Sequence, residues 1–197
     1  MHSFLWPEGK IPYTYDPDAD LDNCKNIIEE AMKTLSYKTK CITFLPWEDE
    51  NDYIMVTTGT RCSSYIGRAG GKQILSLDTD KCDLSKCLHE LCHAIGLIHE
   101  HQRKLRSDNV IIFWDNILND EEKQFIVRSE YDVHNDEFDF NSIMLYEERF
   151  FSKDSRLPTI KAKNGRKLLT KKFTLSYSDI CKIRKIYLGS DFKMKDV

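Results

Sequence analysis

Residues 89–99 read His-Glu-Leu-Cys-His-Ala-Ile-Gly-Leu-Ile-His, and no other stretch restricts the fold and chemistry of this chain so tightly. On an α-helix, positions i and i+4 stand one above the other, so His89 and His93 can present two imidazoles to one ion. Glu90 follows the first of them and reaches the rim of the same site, where a carboxylate can take a proton from a water. His99 lies six positions beyond His93, about 240° further round a regular helix, and so would point away from the ion. The helix must therefore break, and Gly96 is placed to supply the left-handed turn that breaks it. Three neutral imidazoles with an open fourth position make a catalytic zinc set, whereas a structural zinc is closed by four protein ligands. Four of the six histidines (His89, His93, His99 and His101) fall within thirteen residues, which ordinary core packing does not predict.

The rest of the chain bounds where such a site can sit. At 197 residues, 41% hydrophobic and 31% charged, it reads as one soluble globular domain, 1–197. No stretch approaches a membrane span, and the first twenty residues lack the apolar run of a signal peptide. Seven cysteines nevertheless point to an oxidising compartment. The expectation is a secreted, extracellular enzyme whose signal and propeptide are not in this chain, with Met1 an added start. The competing reading is a cytosolic protein with reduced thiols. Residues 153–197 hold thirteen Lys/Arg against four Asp/Glu, a balance of +9, while residues 1–152 hold 16 against 28, a balance of −12. The basic positions are not interleaved with aromatics and no nucleic-acid-binding fold fits, so no nucleic-acid partner is expected. A solvated face and a cationic wall that favours acidic substrates both remain open.

Leu21, Cys24, Ile27, Ile28, Ala31 and Leu35 recur at spacings of three and four, which predicts a helix over 21–36. Strands are expected over 41–46, 52–58 and 72–78. The helix over 84–96 carries the first two histidines, with Leu84, Leu88, Leu91 and Ile95 as its core stripe. A closing helix over 177–188 opens with a Ser176-x-x-Asp179 capping box and stops before Gly189. This order predicts an α+β chain: an N-terminal half, 1–99, of sheet and two helices, then a less regular half, 100–197. Cys87 and Cys92 cannot bridge within a regular helix, where five positions separate Cα atoms by roughly 8–9 Å. Cys87 projects opposite the histidines and reads as a core thiol.

Other segments carry a family likeness. His99-Glu100-His101-Gln102-Arg103 looks like the run that follows the third ligand in astacins, and Ser142-Ile143-Met144-Leu145-Tyr146 is similar to their Met-turn. Leu5-Trp6-Pro7 with Ile11-Pro12-Tyr13, Cys62 to Arg68 with Gly70-Gly71, and Leu175-Ser176 with Asp179-Ile180 match further segments. The chain thus resembles the astacin family of metzincin metallopeptidases from about residue 5 to 188. It departs at Lys104-Leu105-Arg106-Ser107, where astacins usually continue xDRD, and at Leu145, where they have histidine. The family's last cysteine is also missing, since Gly189-Ser190-Asp191 follows Leu188.

The resemblance implies a zincin-like catalytic domain: a twisted mixed sheet with two long helices, an irregular C-terminal half ending in a helix, and a cleft between the halves. It implies a monomeric endopeptidase with one Zn²⁺ per chain, acting on a protein or peptide substrate. His89, His93 and His99 would be the ligands and Glu90 the general base. Tyr146 would be a weak fifth ligand that turns to hydrogen-bond the transition state. Met144 would form an apolar floor beneath the histidines. Lys172 matches a basic position associated with a preference for Asp or Glu after the scissile bond. Residues 72–78 resemble the edge strand that pairs with an extended peptide. The likeness also implies a Cys62–Cys82 disulfide and offers Cys181 as the partner of Cys41, while Cys24 and Cys92 stay undecided. The alternative is a catalytically silent binding or toxin module on the same fold, against which the intact histidines, Glu90 and Tyr146 argue.

Overall fold

The three- and four-residue spacing of Ile28, Ala31 and Leu35 buries one face of helix α1 (Lys25–Thr39). The helix begins four residues later than its periodicity predicts, because the amides of Cys24 and Lys25 both bond to the Leu21 carbonyl in a preceding turn. The computed structural model describes residues 4–132 and 137–189. The ends of the expected domain, and Ser190 and Asp191, lie outside the described residues. The chain divides into two compact units, residues 1–97 with 173–197, and residues 98–172.

In the first unit, strands β1 (Lys10–Tyr15), β2 (Thr43–Pro46), β3 (Tyr53–Thr58), β4 (Ser63–Ser64) and β5 (Lys72–Leu77) form a sheet in the order β2-β1-β3-β5-β4. All neighbours are parallel except β4 and β5. β1 carries Pro12 inside the sheet, a position that normally disfavours proline. Pairing with β3 begins only at Tyr13, so the missing N–H of Pro12 interrupts no bond on that side. β5 is not an edge strand: β3 and β4 flank it, and the antiparallel edge is the two-residue β4. That corrects the expectation for 72–78. Two residues are too few for any periodicity to reveal the true edge.

Helix α2 (Leu84–Ala94) packs on α1, and Leu88, Leu91 and Ile95 are buried, with Leu84 only half-buried. Helix α4 (Tyr177–Leu188) has the expected bounds and capping box: the Ser176 hydroxyl accepts from the Asp179 amide, and Asp179 returns the bond to the Ser176 amide. It belongs with the first unit, not with the half that begins at residue 100. One tie is Arg184, which donates to the Thr39 and Lys38 carbonyls at the C-terminus of α1 and so complements that end of the helix dipole.

Both expected disulfides are overturned. Cys82 bonds to Cys24, with Cα atoms 5.9 Å apart. Cys24 precedes α1 and Cys82 precedes the N-cap of α2, so packing these helices brings their starts together. Cys62 is left as a thiol whose sulfur accepts from the Asp78 amide at 3.4 Å. Cys41 and Cys181 are also unbridged. Arg184, one turn after Cys181, and Tyr187 are groups of α4 that face Cys41, while Cys181 lies against the Tyr177 hydroxyl. Cys87 and Cys92 are buried thiols, and burial pushes both well above the ordinary thiol range.

The second unit holds little regular structure: among its elements are helix α3 (Arg106–Asn109) and an antiparallel pair of strands, β6 (Val110–Ile112) and β7 (Ile160–Ala162). Val110, Leu145, Ile160, Ala162 and Leu168 form one small core, and Ile117, Phe125 and Tyr146 another.

Candidate active site

The N-terminus of α2 is fixed by Asp83, whose carboxylate accepts from the Lys86 amide at 2.9 Å. Its other end is the break that the spacing of His99 demands. The Gly96 amide bonds to the His93 carbonyl at 2.8 Å and the Leu97 amide to the Cys92 carbonyl at 3.0 Å, a Schellman pair. Gly96 adopts φ 111°, and a Cβ there would meet the side chains of Leu5 and Phe4 at 3.2 Å. Three long-range donors occupy the last carbonyls: the Gly67 amide on His93, the Trp6 indole on Ala94 and the Tyr187 hydroxyl on Ile95. The helix that carries the first two histidines is thereby pinned from three sides. Gly96→Ala should destabilise the protein by roughly 1–2 kcal/mol through its positive φ. A denaturation midpoint equal to wild type would show that the turn tolerates a side chain.

Among the described residues, one nitrogen from each of His89, His93 and His99 lies within 4.8 Å of the others. Hydrogen bonds set the tautomers of two of them. His93 Nδ1 lies 2.8 Å from the Leu97 carbonyl, which only accepts, so Nδ1 carries the proton and Nε2 keeps its lone pair. His99 Nδ1 lies 3.1 Å from Gln102 Oε1. The Gln102 amide is itself oriented, because its Nε2 donates to the Gln124 carbonyl at 3.0 Å. Gln102 thus does for His99 what a backbone carbonyl does for His93, holding the ring with Nε2 available to a metal. This role was missed in the sequence; its one signal was a glutamine three residues after the third histidine. His101 donates from Nε2 to the same Gln124 carbonyl at 2.9 Å, so the fourth histidine of the cluster is a prop and not a ligand.

Glu90 is 6% exposed beside His89 on α2, and burial pushes its carboxyl up to about 8. A metal dication at the histidines would draw that value back down by favouring the carboxylate. The Met-turn closes on Ser142, whose hydroxyl accepts from the Met144 amide at 3.0 Å. Met144 is buried, and its carbonyl accepts from the Glu100 amide at 2.9 Å, one residue past the third ligand. Tyr146 is also buried, with its ring centroid 4.3 Å from that of His99. Lys172 is half-buried and donates to the Leu145 carbonyl at 2.6 Å, which ties it to the same turn.

A sequence model of the astacin peptidase family matches residues 2–188. The chain belongs to the astacin family. It is a zinc-dependent metalloendopeptidase, as astacins are, and its donor set of three imidazoles with preset tautomers fits zinc. It is 39% identical over 190 residues to astacin-like metalloprotease toxin 1 of the spider Loxosceles intermedia, covering 93% of this chain and 71% of that protein. It is also 39% identical over 196 residues to zinc metalloproteinase nas-14 of Caenorhabditis elegans, covering 95% of this chain. Several curated relatives are much longer: the chain spans 38% of nas-14 and 53% of nas-6. Among solved structures, high choriolytic enzyme 1, a hatching enzyme zinc-protease of the medaka fish Oryzias latipes, superposes with a TM-score of 0.86. That pair shares 31% identity, and the match covers 94% of this chain and 95% of the hatching enzyme.

Proposed function

We propose that this astacin cleaves internal peptide bonds of extracellular proteins, with Glu90 as general base, Tyr146 as a transition-state donor and a preference for acidic residues after the scissile bond. The observation that carries the reading is a buried carboxylate one residue from His89, on the helix that also supplies His93. When bound by His89, His93 and His99, zinc supplies Lewis-acid chemistry, acidifying a water and polarising a carbonyl. Glu90 accepts a proton from the attacking water and delivers it to the leaving amine. Tyr146 donates a hydrogen bond to the oxyanion as charge develops there, an interaction that favours turnover over binding. The β4 edge offers main-chain groups to an extended peptide without demanding a sequence. The intact ligand set and Glu90 count against a silent binding module. The Cys24–Cys82 bridge supports an oxidising, extracellular setting. Among the described residues, no helix is long and apolar enough to cross a membrane.

The specificity is tested with quenched peptides that differ only in the residue after the scissile bond. A single partly solvated charge pair contributes about 1 kcal/mol, so Asp should exceed Ala by roughly fivefold in kcat/KM. Lys172→Met should bring the ratio near unity. Cleavage should stop on chelation and return with Zn²⁺. Equal cleavage of both peptides by wild type would sink the acidic preference, and hydrolysis that survives chelation would sink the metal mechanism.

A further inference from the structure

We propose that Phe150 is a positioning residue for Tyr146: its ring holds the tyrosine in the orientation that serves peptide hydrolysis. The proposal rests on the role assigned to Tyr146 above. Among the described residues, rings that stand against Tyr146 include His99 and His101 with centroids at 4.3 Å, Phe150 at 4.7 Å, and Phe125 and Phe151 at 5.8 Å. Three of them are fixed from within: Phe125 and His101 are 0% exposed and His99 8%. Phe150 differs, being 42% exposed. A large apolar ring gains little stability at such a position, and a polar side chain there would leave the core intact. What Phe150 contributes must come through the face that touches Tyr146 and the Phe151 ring, which lies 4.6 Å away.

The backbone is built to aim that ring. Phe151 adopts φ 56°, a left-handed conformation costly for a bulky side chain, and such strain persists only where neighbours enforce it. Here the Phe151 carbonyl accepts from the Leu118 amide at 2.8 Å and the Lys153 amide donates to the Asn116 carbonyl at 2.8 Å. The hydroxyl of Thr159, itself fully buried, donates to the Phe150 carbonyl at 2.7 Å. Three bonds therefore lock a strained turn that places two adjacent phenylalanine rings on one tyrosine. His101 and Phe125 form the immovable side of the clamp, and Phe150 the side open to solvent, where rotamers change without disturbing a core. Removing that ring widens the orientations open to Tyr146 and lowers the fraction with its hydroxyl in place. Only the step in which the hydroxyl acts should suffer.

The test is a double-mutant cycle on the zinc-loaded protein. Phe150→Ala should lower kcat roughly three- to tenfold, the worth of one aromatic pair, and leave KM unchanged. Phe150→Tyr, which keeps the ring, should restore kcat. In a Tyr146→Phe background, Phe150→Ala should cost nothing further, because the hydroxyl it positions is gone. A rise in KM at constant kcat, or the same loss in the Tyr146→Phe background, would overturn the proposal by showing that the ring touches substrate. So would an unchanged kcat. If Tyr146→Phe alone matches wild type, the role of Tyr146 falls and the proposal with it, and that failure is read from the single variant. A second readout needs neither metal nor substrate. In zinc-stripped protein labelled with ¹³C-tyrosine, the Tyr146 ring signal, assigned by its loss in Tyr146→Phe, should move in Phe150→Ala. The signal of the exposed Tyr37 on α1 should not. A Tyr146 signal that stays in place overturns the proposal independently of kinetics.

Discussion

Glu90→Gln, compared with wild type at matched zinc content, should keep its metal and lose a factor of roughly 10²–10⁴ in peptide hydrolysis. Glutamine has the shape of glutamate and fits the same buried space beside His89, but it cannot accept the proton of an attacking water. The three histidines are untouched, and His93 and His99 keep the hydrogen bonds that set their tautomers, so zinc retention is expected. The pH profile adds a sign. A base must be ionised to work, so wild-type kcat/KM should fall as pH drops through the pKa of Glu90. Burial alone raises that pKa to about 8, and the bound dication lowers it, so the acid limb should appear below pH 8. The residual activity of Glu90→Gln should lack this limb. A variant that holds zinc and hydrolyses at the wild-type rate would remove Glu90 from the mechanism.

The parts of this molecule legible in the sequence are those set by neighbours a few residues away. The capping box at Ser176 and Asp179 fixed the start of α4, and Gly189 its end. The i, i+4 histidines and Gly96 announced both the metal site and the break after it, because helix geometry alone requires them. What escaped depends on contacts distant in sequence. The Trp6 indole and Tyr187 hydroxyl that close the end of α2 come from 88 and 92 residues away. Gln102 stands three residues from His99, yet its orientation is decided by the Gln124 carbonyl. The Cys24–Cys82 bridge follows from how α1 meets α2, and a likeness of cysteine positions to a family could not supply that. β1 has no counterpart among the expected strands, and the place of its Pro12 in the sheet is explained only by the pairing register.

Arg103 shows the same limit with a larger consequence for stability. In sequence it is the last residue of the run His99 to Arg103 that marks the family. In the fold it is a cation 2% exposed between two carboxylates. Its Nη1 donates to Glu100 at 2.7 Å and its Nε to Asp132 at 3.3 Å. Each carboxylate carries a second load: Glu100 accepts from the Asp139 amide at 2.9 Å and Asp132 from the Lys104 amide at 2.8 Å. The network thus ties the turn after His99 to residues about 30 and 40 positions on. Replacing the whole network by apolar groups of similar volume would change stability little, because burying the charges costs about what their attraction returns. Removing only the cation is different, since two buried carboxylates lose their counter-ion while keeping their desolvation cost. Arg103→Met should therefore destabilise the zinc-loaded protein by about 3–5 kcal/mol, measured as a lower urea midpoint at unchanged m-value. Arg103→Lys should recover only part of the loss, because an ammonium keeps the charge and lacks the fork that bonds both carboxylates at once. A midpoint for Arg103→Met within the spread of ordinary surface substitutions, about 0.5 kcal/mol, would show that the carboxylates find water or another donor.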